Sequence, residues 1–331
     1  MKDLKFNTAV LFALAIFVFA IHGQTQEKDD QPIKVNTVLI NIPVIASDVK
    51  GRYVAGLKKE NFSIIQDGEK QDIEFFADEK APMNVVILID VSGSTARFLD
   101  NIKDAARDFV KIFRPEDQGM IVTFAGEMRV LQEFTSDQKK LDKAVKKADL
   151  QNSEGSNMQD AMYEIVTKSF AGVQGRKAII VLTDGYVGGM AVSDQLMLNT
   201  LAESDILVYP IMFNTGSKYN VPFLPSEVRF HDGTILSRAE AIKRIEGEVN
   251  AHMRFMATLG PATGGKRIDA KSTDFKEAFQ NIADELKNQY VIGFYPQLTG
   301  NGKIPNIALK VDQNDVVLRS KRSIRLRSSS N

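Results

Sequence analysis

Asn84-Val85-Val86-Ile87-Leu88-Ile89-Asp90-Val91-Ser92-Gly93-Ser94 is the stretch that decides the fold. Its apolar run, Val85 to Ile89, ends abruptly in a carboxylate and two hydroxyls. A buried central strand looks like this where it delivers polar groups to the edge of a sheet. In open α/β sheets ligands sit beyond the carboxyl ends of the strands, so Asp90, Ser92 and Ser94 fall at the expected binding edge. All three offer oxygen, and hard oxygen donors with no His or Cys beside them favour Mg2+, Mn2+ or Ca2+ over zinc or copper. A second apolar strand, Ile179 to Leu182, ends in Thr183-Asp184-Gly185. Between the two lies Gly155-Ser156-Asn157-Met158-Gln159-Asp160-Ala161, which sets one more hydroxyl just ahead of a helix. The ordinary alternative for such Asp and Ser clusters is a set of turns and helix N-caps.

Asp90-x-Ser92-x-Ser94 resembles the metal-ion-dependent adhesion site of von Willebrand factor type A (VWA) domains. Thr183-Asp184-Gly185 matches that family's second acidic metal-loop element, and Gly155-Ser156 its Gly-Gly-Thr loop, with Ser156 at the usual Thr and Glu154 at a usual Gly. The resemblance implies a divalent cation, Mg2+ first and Mn2+ or Ca2+ next. Ser92, Ser94 and Ser156 would coordinate it through hydroxyls, with Asp90 and Asp184 binding directly or through waters. It also implies a protein partner whose carboxylate completes the coordination, and no catalysis. From Asn41-Ile-Pro-Val, through Gly56-Leu, Asn61-Phe and Gln66-Asp-Gly, to Gln289-Tyr-Val-Ile-Gly-Phe-Tyr-Pro, the chain is similar to the acidobacterial-type VWFA-related exported proteins. That likeness brings no biochemical activity with it.

In chain order, Lys2 and Lys5 precede an apolar run from Ala9 to Ile21, which reads as a signal peptide over residues 1–23. The run is short of the ~20 residues of a membrane helix, so a secreted or periplasmic protein with no stable span after cleavage is expected. Residues 24–34 read as a flexible lead-in and 35–81 as β strands, with Asp67-Gly68 as a hairpin turn and Ile73-Glu-Phe-Phe as its returning strand. Those strands are too few for a two-sheet core. Residues 82–289 alternate strand and helix, the signature of a doubly wound, Rossmann-like α/β domain with a mostly parallel sheet. Within it 214–237 reads as a long inserted loop. A helix capped by Ser237 and Glu240 follows, with Ile242, Ile245, Val249, Met253, Met256 and Leu259 on its core face and its end at Gly260-Pro261. Residues 290–327 return to strands that could pair with 35–81, making a small β-sandwich into which the α/β domain is inserted, ahead of a tail at 328–331.

The chain has 331 residues, more than a single core usually holds. Its 42 basic and 42 acidic residues balance, which argues against nucleic acid as a partner. It has no cysteine, so no disulfide or lipoprotein anchor is available. A Ser–His–Asp hydrolase needs a positioned His, yet His231 falls in the irregular loop and His252 within the apolar-faced helix. No Gly-x-Ser-x-Gly elbow or phosphate-cradling loop is present. The rival to an adhesion module is an envelope scaffold with a vestigial metal loop, and a metal-dependent hydrolase is the weaker third. Arg319, Lys321, Arg322, Arg325 and Arg327 read as the solvated, charged face of an edge strand.

Overall fold

The computed structural model describes residues 39–78, 80–151, 156–185, 191–213, 224–230, 232–271, 274–297 and 306–321. The expected signal peptide and lead-in lie outside the described residues, as do Glu154, Gly155, His231, Arg322, Arg325, Arg327 and the tail. Strands β1 (Ile40–Asp48), β2 (Phe62–Gln66), β3 (Glu69–Gln71) and β4 (Phe75–Ala77) come first. Then β5 (Met83–Asp90), α1 (Leu99–Val110), β6 (Gln118–Phe124), β7 (Met128–Thr135), α2 (Gln138–Lys146) and α3 (Met158–Glu164) follow. The α/β part continues with β8 (Arg176–Thr183), α4 (Asp194–Ala202) and β9 (Ile206–Phe213). A hairpin of β10 (Glu227–Arg229) and β11 (Ile235–Ser237) leads into α5 (Arg238–Thr263). The chain closes with β12 (Ile268–Ala270), α6 (Phe275–Lys287), β13 (Gln289–Phe294), β14 (Ile307–Val311) and β15 (Val316–Ser320).

The central sheet runs β12-β9-β8-β5-β6-β7, all parallel except β7, which lies antiparallel at one edge. Every residue of β5 is buried because β6 and β8 flank it and helices cover both faces. Its side chains alternate, as a pleated strand requires. Val85, Ile87 and Ile89 join α1, α2 and α6 in one core, and Val86 and Leu88 join α3, α4 and α5 in the other. The doubly wound, mostly parallel arrangement read from the sequence is therefore the one observed.

Strands from the two ends of the chain do meet. β1 pairs with β13 and β15, and β13 with β4; the second sheet is β14-β2-β3. Ile42, Val44, Phe62, Ile64, Tyr290, Ile292 and Phe294 fill the space between them. The Tyr290 hydroxyl accepts from Leu57 N at 3.1 Å and donates to Val54 O at 3.0 Å, so this large buried ring leaves no polar atom stranded. The outer face of β1 is buried too, with Ile45 in the core shared by α1, α2 and α6.

Several details differ from the sequence reading. The strand returning from Asp67-Gly68 is Glu69–Gln71, since the positive φ of both turn residues closes a two-residue hairpin at once. Ile73-Glu-Phe-Phe leaves that sheet, and Phe75–Ala77 pairs with β13 in the other one. The stretch 214–237 contains the β10–β11 hairpin, and residues 214–223 lie outside the described residues. Gly260-Pro261 does not end α5, which runs on to Thr263 and stops at Gly264 with φ +87°. A proline in the last turn removes one backbone donor without breaking the helix, and the left-handed glycine is the true stop. Nor is the apolar stripe of α5 a core face throughout: Ala241 apart, its buried residues begin at His252, and Ile242, Ile245, Val249 and Met253 are only half-buried. The chain leaves β9 at the carboxyl edge of the sheet and re-enters through β12, parallel to β9, so α5 starts at that edge. The Met253 sulfur lies 2.8 Å from where a Cβ on Gly185 would sit, which leaves the earlier turns, roughly 20 Å of helix by its rise, standing beyond the end of β8.

The last strand, β15, is an edge strand, but Arg319 and the following Lys321 do not form a solvated face. Arg319 pairs with Glu285 of α6, itself 2% exposed and also paired with Lys266. Lys321 is buried and donates to the carbonyls of Ala202 at 3.3 Å and Ser204 at 2.6 Å, at the carboxyl end of α4. The face of the sandwich sheet that Arg319 and Lys321 share is turned towards the α/β body rather than towards water.

Candidate metal centre

Asp90 is the last residue of β5 and has no exposed surface. Its Oδ1 accepts from Ser92 N at 3.0 Å and its Oδ2 from the Thr183 hydroxyl at 2.8 Å. Burial, and next the nearby charge of Asp184, push its carboxyl up to about 7, against the lowering effect of the bonds from Ser92 and Thr183. The hydroxyl of Ser92 lies 3.1 Å from that of Ser94. Thr95, also buried, braces the turn by donating to the carbonyls of Asp90 at 3.1 Å and Ser92 at 2.8 Å.

Two further loops close on this one. Thr183, at the end of β8, both donates to Asp90 and accepts from Gly185 N at 3.1 Å, which holds the Thr183-Asp184-Gly185 turn against the end of β5. Gly185 has φ +82°, a conformation other side chains adopt only with strain, so the turn favours glycine; a Cβ there would meet the flexible ends of Met253 and Met212. On the other side Val91 N donates to Phe124 O, and Asn157 donates to Ala125 O at 2.8 Å through its backbone and to Gly126 O at 2.7 Å through its amide. That fixes Ser156, whose hydroxyl is wholly buried and has no hydrogen-bond partner among the described residues.

Of the residues singled out in the sequence, Asp90, Ser92 and Ser94 are joined by direct contacts, and Asp184 acts on Asp90 through its charge. Ser156 stands at the same edge without a bond to any of them. Thr95 and Thr183 were not assigned a role from sequence; Thr183 ends β8, and Thr95 lies in the short turn after β5. Asp160, in the first turn of α3, accepts from the backbone of Ala191 and Val192. His252 is buried in α5 with both nitrogens unbonded, and burial lowers its imidazole to about 4, which leaves it neutral. Among the described residues no group of three or more His, Cys, Asp or Glu side chains is placed to hold a metal. A cation here would therefore be held by hydroxyls together with Asp90 and Asp184. The donors fit one: among the described residues they are a buried carboxylate with no basic partner, two hydroxyls in contact, and an unpaired hydroxyl, all oxygen.

Residues 85–187 match the family described as von Willebrand factor type A domain, an interval that contains all five candidate ligands. This chain carries a von Willebrand factor type A domain. Solved structures similar to it include BatB from Bacteroides thetaiotaomicron, at 18% identity and TM-score 0.41 over 62% of this chain and 97% of that one. The vWF domain of the type V pili tip protein Mfa5 from Porphyromonas gingivalis is 13% identical, with TM-score 0.45 over 61% and 94%. Proximal thread matrix protein 1 from the mussel byssus, solved with a zinc-occupied MIDAS motif, is 14% identical, with TM-score 0.47 over 67% of this chain and 49% of that one. No curated protein matched the sequence. In this VWA domain the matched interval ends just past the Asp184 turn, so β9, α5 and β12 lie beyond it. Among the described residues no helix is long and apolar enough to cross a membrane.

Proposed function

We propose that the VWA domain binds a partner protein through a divalent cation held by Ser92, Ser94 and Ser156, with Asp90 and Asp184 as the acidic members of the site. The observation that carries this reading is the Ser156 hydroxyl, which is fully buried at the sheet edge and has no partner among the described residues. An unpaired buried hydroxyl costs stability unless something fills the place its lone pairs face. When bound, the cation supplies a Lewis-acid position that a partner's carboxylate can occupy. Mg2+ is the first expectation because every donor is a hard oxygen, with Mn2+ and Ca2+ as alternatives. The residues' own part is to order the donors and to supply few charges, so that the bound ion stays attractive to a visiting acid. Binding rather than catalysis is favoured by the state of His252, buried in a helix without an acid or nucleophile bonded to it. Export by the N-terminal segment, and the division into a sandwich of 35–81 with 290–327 around a VWA domain of 82–289, belong to the same proposal.

Isothermal titration of Mg2+, Mn2+ and Ca2+ into the wild type and Asp90→Ala tests it. Saturable heat from the wild type, lost in the variant, is expected. A wild type that takes up none of the three ions sinks the reading and leaves a scaffold.

A further inference from the structure

We infer that the Met253 thioether is a modification site through which a peroxide oxidant weakens the metal edge, an inference that rests on the metal-binding reading above. The chain has 11 methionines and neither cysteine nor tryptophan, so thioether sulfurs are its readiest two-electron targets. Among the described residues all but two of the methionines are buried. Met128 and Met253 keep part of their surface in solvent, where a peroxide can reach them. Of these two, Met253 touches the candidate site. Its sulfur lies 2.8 Å, and the Met212 methyl 2.9 Å, from the point a Cβ on Gly185 would occupy, so the thioether packs on the Gly185 turn. From there the contacts run unbroken to the carboxylate of β5. Gly185 N donates to the Thr183 hydroxyl at 3.1 Å, and that hydroxyl donates to Asp90 at 2.8 Å, with Asp184 between the two anchored residues.

The step is a two-electron oxygen transfer. A lone pair on the sulfur attacks one peroxide oxygen, and the O–O bond breaks as the S–O bond forms. The departing hydroxide takes the proton of the transferred hydroxyl and leaves as water, so sulfur is oxidised and the peroxide reduced. The product is a polar sulfoxide in place of an apolar thioether. The helix backbone is not free to follow the change, because His252, Phe255 and Met256 beside it are buried and Arg267 donates to the Met253 carbonyl at 3.4 Å. Nor can the new oxygen stay against the buried Met212 and Gly185 without giving up its hydrogen bonds to water. Either the side chain swings outward and leaves the turn unpacked, or it pushes the turn aside. Both outcomes loosen Thr183-Asp184-Gly185, and a loop that is less ordered beforehand loses more freedom when an ion binds.

Treatment of the metal-free full chain with hydrogen peroxide, as wild type and Met253→Leu, tests this. Peptide mass spectrometry locates the added oxygen; once the peroxide is removed, hydrogen exchange is followed at Gly185 and Mn2+ is titrated in. The wild type is expected to take up oxygen at Met253 ahead of the buried methionines and to exchange faster at Gly185. Its Mn2+ affinity is expected to fall about tenfold, within the usual range for coupled sites. Met253→Leu, similar in volume and without sulfur, is expected to match the untreated wild type and to keep its affinity through the treatment. Met253→Gln supplies polarity without an oxidant and is expected to bind Mn2+ more weakly than Met253→Leu. Full oxidation at Met253 with unchanged Mn2+ affinity overturns the inference, as does an equal loss in treated Met253→Leu. A wild type that binds no Mn2+ before treatment overturns the metal reading and this inference with it, a result distinct from binding that oxidation leaves intact.

Discussion

Asp90 keeps a carboxylate where water cannot reach it, and its proton follows from that. The folded value of about 7 lies above the ordinary 3.8, so between those pH values the folded metal-free chain holds a proton that the unfolded chain has lost. The stability this group contributes is therefore full below about pH 4 and is lost as pH rises through about 7. Removing the charge should show it: Asp90→Asn should be more stable than the metal-free wild type at pH 8, by on the order of a few kcal/mol. The advantage should shrink as pH falls towards 4, which denaturant melts at several pH values will check. Cation binding has the opposite slope, since the proton must leave; Mn2+ affinity should drop as pH is lowered from 8 to 6. Ser156→Ala gives a second diagnostic. The metal-free variant should be as stable as the wild type or up to about 1 kcal/mol more so, because an unsatisfied buried hydroxyl is removed, while Mn2+ affinity falls. The place of Asp90 was legible, since a carboxylate directly after an apolar run announces a sheet edge. The bonds were not: Thr183 meets Asp90 only because β8 pairs with β5 in one register, and nothing local to either residue records that.

Among the elements, α5 shows where local rules run out. Its start was legible from the Ser237 and Glu240 box, which forms as read. Its end was not, because proline is the louder breaker in a sequence and the glycine three residues later is the one in a left-handed conformation. Just beyond, Gly265 packs against the backbone of β9, where an added Cβ would lie 2.2 Å from Val208 O. Gly265→Ala should cost about 3 kcal/mol, the upper range for overpacking, and urea midpoints will read it. Gly247, in the same helix, faces open space. Gly247→Ala should instead stabilise by about 0.5–1 kcal/mol through helix propensity. The two changes have the same chemistry and opposite signs because only one glycine is there to let another backbone close in.

The whole molecule is joined by a polar seam. Glu285 holds Lys266 and Arg319 together at the boundary between the sandwich and the VWA body, and Lys321 reaches across to the end of α4. Burial alone would raise the Glu285 carboxyl, but the charge of Arg319 and the hydrogen bond and charge of Lys266 hold it below its usual range. Its contribution is present above the ordinary glutamate value of 4.5 and is lost as pH falls through the lower folded value. Glu285→Ala should cost about 3 kcal/mol, the scale for breaking one side of a buried pair. Calorimetry should show the single unfolding transition of the wild type separating in two. This seam escaped the sequence because alternating charge on a strand reads as a wet face whether the other side meets solvent or a second domain. The long helix α5 has a different consequence. Its first turns stand up beside the Asp184 turn like a parapet, with Met253 at their foot. A broad, level surface brought down on the sheet edge would strike that rise before reaching the oxygens. Any visitor to the sheet edge would meet that rise on one side, so its direction of approach is restricted before its chemistry is consulted.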